Sequence, residues 1–197
     1  WFIKQHLDGK NFFYTEFGSP GLANRLRKSP KSGTTPIGEG VQFGDFRLRQ
    51  FINPDFTEFD AVITIETPEF LIIHANDNWH EWPEPMVKDI STVVKNYNSD
   101  RVFLMIQFGV ADCFPVNYVG LSDSECLGIL SKRFEQYLSA TETNMRRLGL
   151  SSMYYYANQQ DFNYRGSDLS GKSMNDIAFE FLQERGRNYC QLLPGME

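Results

Sequence analysis

Three strand signals follow one another between Phe46 and Ile73. Phe46-Arg47-Leu48-Arg49-Gln50-Phe51 and Ala61-Val62-Ile63-Thr64-Ile65 alternate apolar and polar positions, the period of a half-buried strand, while Phe70-Leu71-Ile72-Ile73 is a solid apolar run. Thr67-Pro68-Glu69 supplies turn chemistry between the last two, so the three strands read as a meander. The uninterrupted apolar run predicts a strand buried on both faces, as in a sheet covered by helices. After Trp79 the period changes: Pro83 suits a helix start, and Met86, Ile90, Val93, Val94 and Tyr97 recur at helical spacing. A buried strand is then expected over Arg101 to Phe108, leading into the loop Gly109-Val110-Ala111-Asp112-Cys113-Phe114-Pro115.

Residues 123 to 148 read as a long amphipathic helix. Leu127, Leu130, Phe134, Leu138, Met145 and Leu148 lie on or near one stripe, and Gly149 stands at the carboxyl cap. Met153-Tyr154-Tyr155-Tyr156 follows as a buried strand. Residues 161 to 173 are polar and loop-like, and a last helix runs from Ser173 to Arg185, with Ser173 and Asp176 suited to its start. Upstream, residues 1 to 10 read as the end of a helix and Asn11 to Thr15 as a short strand. The stretch Gly18 to Gly40, rich in Gly, Pro, Ser, Lys and Arg, reads as a connector with one weak helix at Leu22 to Arg27. Strand and helix alternate after the meander, which predicts an α/β fold with a sheet layered against helices.

Composition narrows the function classes. With 197 residues, 41% of them hydrophobic, the chain is long enough to bury a sizeable core. Its 25 acidic and 19 basic residues give a formal charge of -6, so there is no basic excess for a nucleic-acid partner. No apolar run approaches the roughly 18 to 20 residues of a membrane-spanning helix, and no signal peptide is recognisable, so no membrane is expected and a cytoplasmic setting is the default. Cys113, Cys126 and Cys190, three widely spaced cysteines, fit reduced thiols. The opening Trp1-Phe2-Ile3 and the closing Leu192-Leu193-Pro194-Gly195 read as interruptions of longer elements, so the chain is expected to be truncated at both ends.

Candidate chemistry concentrates in His74-Ala75-Asn76-Asp77-Asn78-Trp79-His80, directly after the predicted buried strand. Strand ends on a layered sheet are where α/β folds present catalytic groups. His74, Asp77 and His80 are spaced three apart, and imidazole with carboxylate suits zinc, iron or manganese. The structural alternative stays open: Asp77 as a cap, the histidines as satisfied surface groups. Successive strand side chains face opposite ways, so His74 and Asp77 share a site only if the strand has ended between them. Among loop residues flanking strands, Asn53, Asp112, Cys113 and Asn158 are candidates for lining a pocket for a small-molecule substrate. Phosphate-loop, dinucleotide and nucleophile-elbow motifs are absent from the sequence.

The order of these segments resembles the second half of the metallo-β-lactamase fold, in particular the metallo-β-lactamase-like domain of the CMP-N-acetylneuraminate hydroxylase family. FDAVITIETPEFLIIHANDN at 59 to 78 looks like that domain's Asp-bearing hairpin, and FGVADCFPVNY at 108 to 118 like its glycine-rich loop. KRFEQYL at 132 to 138 and YYYANQQDF at 154 to 162 are similar to its Pro-Phe-Ala-Gly region. The resemblance covers roughly residues 37 to 165. It implies a partial metallo-β-lactamase fold, one half of the αββα sandwich. Residues 1-197 would then form a single incomplete domain, with 1-40 as connector and 41-197 as the carboxyl-terminal half.

It also implies a metal-dependent enzyme, a hydroxylase or oxygenase acting on a sugar-like or nucleotide-linked substrate, or else a metal-dependent hydrolase. Asp77, with Asn76-Asp77-Asn78 at the place of the family's Gly-Asp-Thr-like turn, would be a metal ligand, with His74 beside it. Three departures stand out. The family's His-x-His-x-Asp-His motif is absent, the only histidines being His6, His74 and His80. Asn53-Pro54 stands in place of a His-Pro, and Ala157-Asn158 where many relatives carry a last metal-binding His. Zinc or iron, one or two ions, would therefore be bound mostly by residues outside this chain, and the chain alone would be inactive. The missing amino-terminal half becomes a candidate partner, and a non-catalytic partial domain that binds a partner is the competing class.

Overall fold

A computed structural model describes residues 11–14, 33–36, 40–52, 61–76, 78, 80–108, 120–150, 153–156 and 169–187. Eight strands and three helices are placed: β1 Asn11–Tyr14, β2 Gly33–Pro36, β3 Val41–Phe43, β4 Phe46–Ile52, β5 Ala61–Glu66, β6 Leu71–Asn76, α1 Glu84–Val94, β7 Val102–Gln107, α2 Asp123–Leu148, β8 Met153–Tyr156 and α3 Met174–Glu184. Strands β1 and β2 form a parallel pair, so a strand lies in the stretch read from sequence as connector. The expected helices at residues 1 to 10 and Leu22 to Arg27 fall outside the described residues.

Strands β3 to β8 form one six-stranded sheet in sequential order. Pairing is antiparallel from β3 to β6 and parallel from β6 through β8, so the α/β reading with a mixed sheet against helices is borne out. The meander is tight where Thr67 caps it: its Oγ1 accepts from the backbone N–H groups of Glu69 (3.2 Å) and Phe70 (2.9 Å). The helix starts follow the sequence signals as well. Ser122 with Glu125, and Ser173 with Asp176, each form a reciprocal capping box, and Gly149 ends α2 at φ 69°, a conformation that costs a residue with a Cβ.

The described helices all pack on one face of the sheet. Val62, Leu71, Ile73, Ala75, Val102, Leu104, Ile106 and Tyr155 are buried in a single cluster with Met86, Val87, Ile90 and Val93 of α1, Leu130, Phe134 and Leu138 of α2, and Phe181 and Leu182 of α3. At its centre Phe108 packs 5.1 Å from both Phe134 and Tyr155, with Phe181 5.3 Å from Phe134. Each such aromatic pair is worth ~0.5–1.5 kcal/mol beyond its buried area. The Arg185 guanidinium lies 3.4 Å over the Phe181 ring and pairs with Glu135, tying α3 to α2.

The expectation that β6 is buried on both faces is corrected. Leu71, Ile73 and Ala75 are buried, but Ile72 and His74 are only partly so, because the described helices all pack on the other side. Strand β6 also runs on through His74, Ala75 and Asn76, which sequence pattern assigned to a loop. The ladder is made by backbone groups, and β7 supplies partners as far as Asn76, so side-chain polarity did not end the strand.

Candidate functional site

Strand direction decides which segments meet. Strand β4 is two antiparallel steps from β6 and therefore runs parallel to it, and β7 and β8 are parallel to β6. The carboxyl ends of β4, β6, β7 and β8, at Ile52, Asn76, Gln107 and Tyr156, consequently lie along one edge of the sheet. Asn53 and Asp77 directly follow two of these ends, Asn158 is two positions beyond the third, and Asp112 and Cys113 follow β7 by five and six. Asn53, Asp77, Asp112, Cys113 and Asn158 themselves lie outside the described residues, as does Cys190. Cys126, on the buried stripe of α2, is a free thiol.

The end of β6 has distinctive geometry. The pairing with β7 shifts register between His74 and Asn76. Asn76 has φ 49°, the left-handed region that few residues besides Gly and Asn enter without strain. The N–H of Asn78 donates to Ala75 O at 3.0 Å. Asn78 is 1% exposed, and neither heteroatom of its side-chain amide has a hydrogen-bond partner. An unsatisfied buried amide costs ~1–3 kcal/mol, so a fold that keeps one has a polar demand at that spot.

Helix α2 clasps this loop from the side. Asn144, also 1% exposed, accepts from the Trp82 N–H through Oδ1 at 2.9 Å and donates through Nδ2 to His80 O at 2.8 Å. Arg147 donates to Trp82 O at 2.5 Å and pairs with Glu84 at 2.7 Å. The Trp82 indole N–H reaches back to Asn78 O at 3.4 Å. Asn144 and Arg147 were missed in the sequence, although a polar residue between Thr141 and Leu148 on an otherwise buried stripe is the kind of signal that reveals such a clamp.

His74 sits elsewhere. It is paired with Ile63 on one side and Met105 on the other, on the sheet face away from the helices, and is half-buried. Burial pushes its pKa below the ordinary 6.5, against a backbone hydrogen bond that acts upward. The neutral imidazole that results is the metal-ligating form. The described residues do not by themselves fit a metal centre: among them no group of three or more His, Cys, Asp or Glu side chains could hold an ion. A shallow cavity of about 270 Å³ does open at the carboxyl end of β4, lined by Gln50, Phe51, Ile52, Pro83, Pro85, Met86 and Asp89. Among the described residues no helix is long and apolar enough to cross a membrane.

No family model matches the chain, and no curated protein matches it. Among solved structures it is similar to a point mutant of CmlA beta-hydroxylase, at 14% identity and a TM-score of 0.44, over 88% of this chain. The match spans 35% of that chain, about a third of its length.

Proposed function

We propose that this chain is part of a metal-dependent enzyme of the metallo-β-lactamase superfamily, with the carboxyl edge of its sheet as one wall of the active site. The observation that carries the reading is strand direction: four strands end at one border, and each is followed within a few residues by a candidate polar group. Asp77 is assigned the metal-binding carboxylate, with His74 as a second donor. Asn53, Asp112, Cys113 and Asn158 are assigned to the substrate pocket. The left-handed turn at Asn76 and the unsatisfied Asn78 amide on either side of Asp77 support a loop held for function, because the cost of the unsatisfied amide persists where a site needs it.

Zinc or iron in such a place supplies Lewis acidity, and iron redox capacity besides. As the resemblance implies, and with the His-x-His-x-Asp-His motif absent from the sequence, the other ligands are assigned mostly to residues outside this chain. Hydroxylation of a sugar-like or nucleotide-linked substrate follows from the sequence resemblance, with metal-dependent hydrolysis as runner-up; oxygen consumption by the metal-loaded protein separates the two. A cytoplasmic setting belongs to the same proposal, supported by the free Cys126.

The test is metal retention. After dialysis against zinc or iron(II) and removal of excess, elemental analysis is expected to find metal on the full-length protein, which carries the ligands outside this chain, and at least about tenfold less on its Asp77→Asn variant. Equal retention by the variant overturns the role of Asp77. Absence of metal from both favours the competing reading, a non-catalytic partial domain that binds a partner.

A further inference from the structure

The hydrogen bonds that hold the loop after β6 bypass one buried side chain. The Asn78 backbone N–H donates to Ala75 O, and its carbonyl accepts from the Trp82 indole. Asn144 serves the Trp82 N–H and the His80 carbonyl, and Arg147 donates to the Trp82 carbonyl. The Asn78 side chain takes no part: it is 1% exposed, and its Oδ1 and Nδ2 are both without a partner. It is therefore neither a turn cap nor a strut of the α2 clamp. Packing does not explain its burial either. An asparagine side chain has almost no apolar surface to gain by leaving water, while an unmet amide loses both donors and acceptor. Tyr155 makes the contrast: its hydroxyl also has no partner, but its ring packs 5.1 Å from Phe108 and gains from the core what the hydroxyl loses.

We propose that Asn78 is a ligand-binding residue whose amide takes two adjacent hydroxyl groups, one accepting from Nδ2 and the other donating to Oδ1. The amide itself selects this chemistry. Its donor and acceptor stand side by side, so a hydroxyl pair completes both, whereas an anion would face Oδ1 and a cation Nδ2. A charged group is also costly in so buried a place, and Arg147, the guanidinium that reaches this loop, is already committed to Trp82 O and Glu84. Adjacent hydroxyls come from the vicinal diol of a sugar-like ligand or from two trapped waters, which such a diol displaces while reproducing their hydrogen bonds. The inference rests on the metal-dependent reading only in making this loop the neighbourhood of a substrate. Its test contains no metal, so the two fail separately.

Urea unfolding of the 197-residue chain and of Asn78→Leu, which keeps a branched side chain and deletes the amide, tests it with and without about 0.1 M glucose. If trapped waters are the source, Asn78→Leu lowers the folded-to-unfolded ratio at least about tenfold in plain buffer, and magnetic relaxation dispersion of water finds fewer long-lived waters than in the native chain. If a sugar diol is the source, the variant loses nothing in plain buffer, and glucose raises the native ratio at least about threefold more than the variant's. Tyr155→Phe is expected to lose nothing in either solution. Where Asn78→Leu does not fold, Asn78→Val, which is smaller, is measured in its place. A variant as stable as the native chain in both solutions overturns the proposal, the amide being bare. A variant that is less stable, yet keeps every long-lived water and the native response to glucose, overturns it equally, the loss being one of packing.

Discussion

At the scale of single residues, the informative groups are polar ones in apolar settings. His74 is set among Ile63 and Met105, and burial lowers its pKa. As pH falls below about 6.5 the unfolded chain takes up a proton that the folded chain still resists, so unfolding is favoured until the folded imidazole titrates too. His74→Gln is therefore expected to gain melting temperature relative to the native chain as pH drops from 7 towards 5, with the gap constant above 7; a pH-independent gap contradicts the burial argument. Tyr155 is a parallel case. Its phenol is 1% exposed, its hydroxyl has no hydrogen-bond partner, and burial, then the nearby Glu142, raises its pKa. Tyr155→Phe removes an unsatisfied group without leaving a hole, and is expected to hold stability or raise it by up to about 1 kcal/mol in urea titration.

Among the elements, α2 does most of the organising. One stripe carries Cys126, Leu130, Phe134 and Leu138 into the core, and the same stripe ends in Asn144, which grips the loop after β6. Asn144→Ala removes the acceptor of the Trp82 N–H and a donor to the His80 carbonyl, a loss of about 1–3 kcal/mol by chemical denaturation, accompanied by a change in tryptophan emission as the loop loosens. The helix itself was legible in the sequence at both ends, because Ser122 and Gly149 are strong caps and the apolar stripe is long. The far end of β6 was not: His74, Ala75 and Asn76 carry no strand signal, and only pairing with β7, distant in sequence, extends the strand to Asn76. The β2 strand was missed for a similar reason, since Gly33–Pro36 has little propensity of its own and is held by its register with β1.

For the molecule as a whole, alternation of strand and helix sufficed to predict a layered α/β fold, and Asn53, Asp77, Asp112 and Asn158 were chosen because they neighbour strand ends. That their strands finish on one border could not be read from pattern alone, because direction within a sheet depends on pairing between distant segments. The same limit hid the second face: Ile72 in the run Leu71-Ile72-Ile73 looks like core, and only the one-sided placement of the helices leaves it partly in the open. The mixed pairing of the sheet also orders events in time. Strands β3 to β6 join through neighbouring residues, whereas β7 and β8 can add only after residues 77–101 and 108–152 have folded back across the growing sheet. The border that gathers the candidate chemistry is thus assembled late, and a chain halted part-way would possess its hairpins before it possessed its reactive edge.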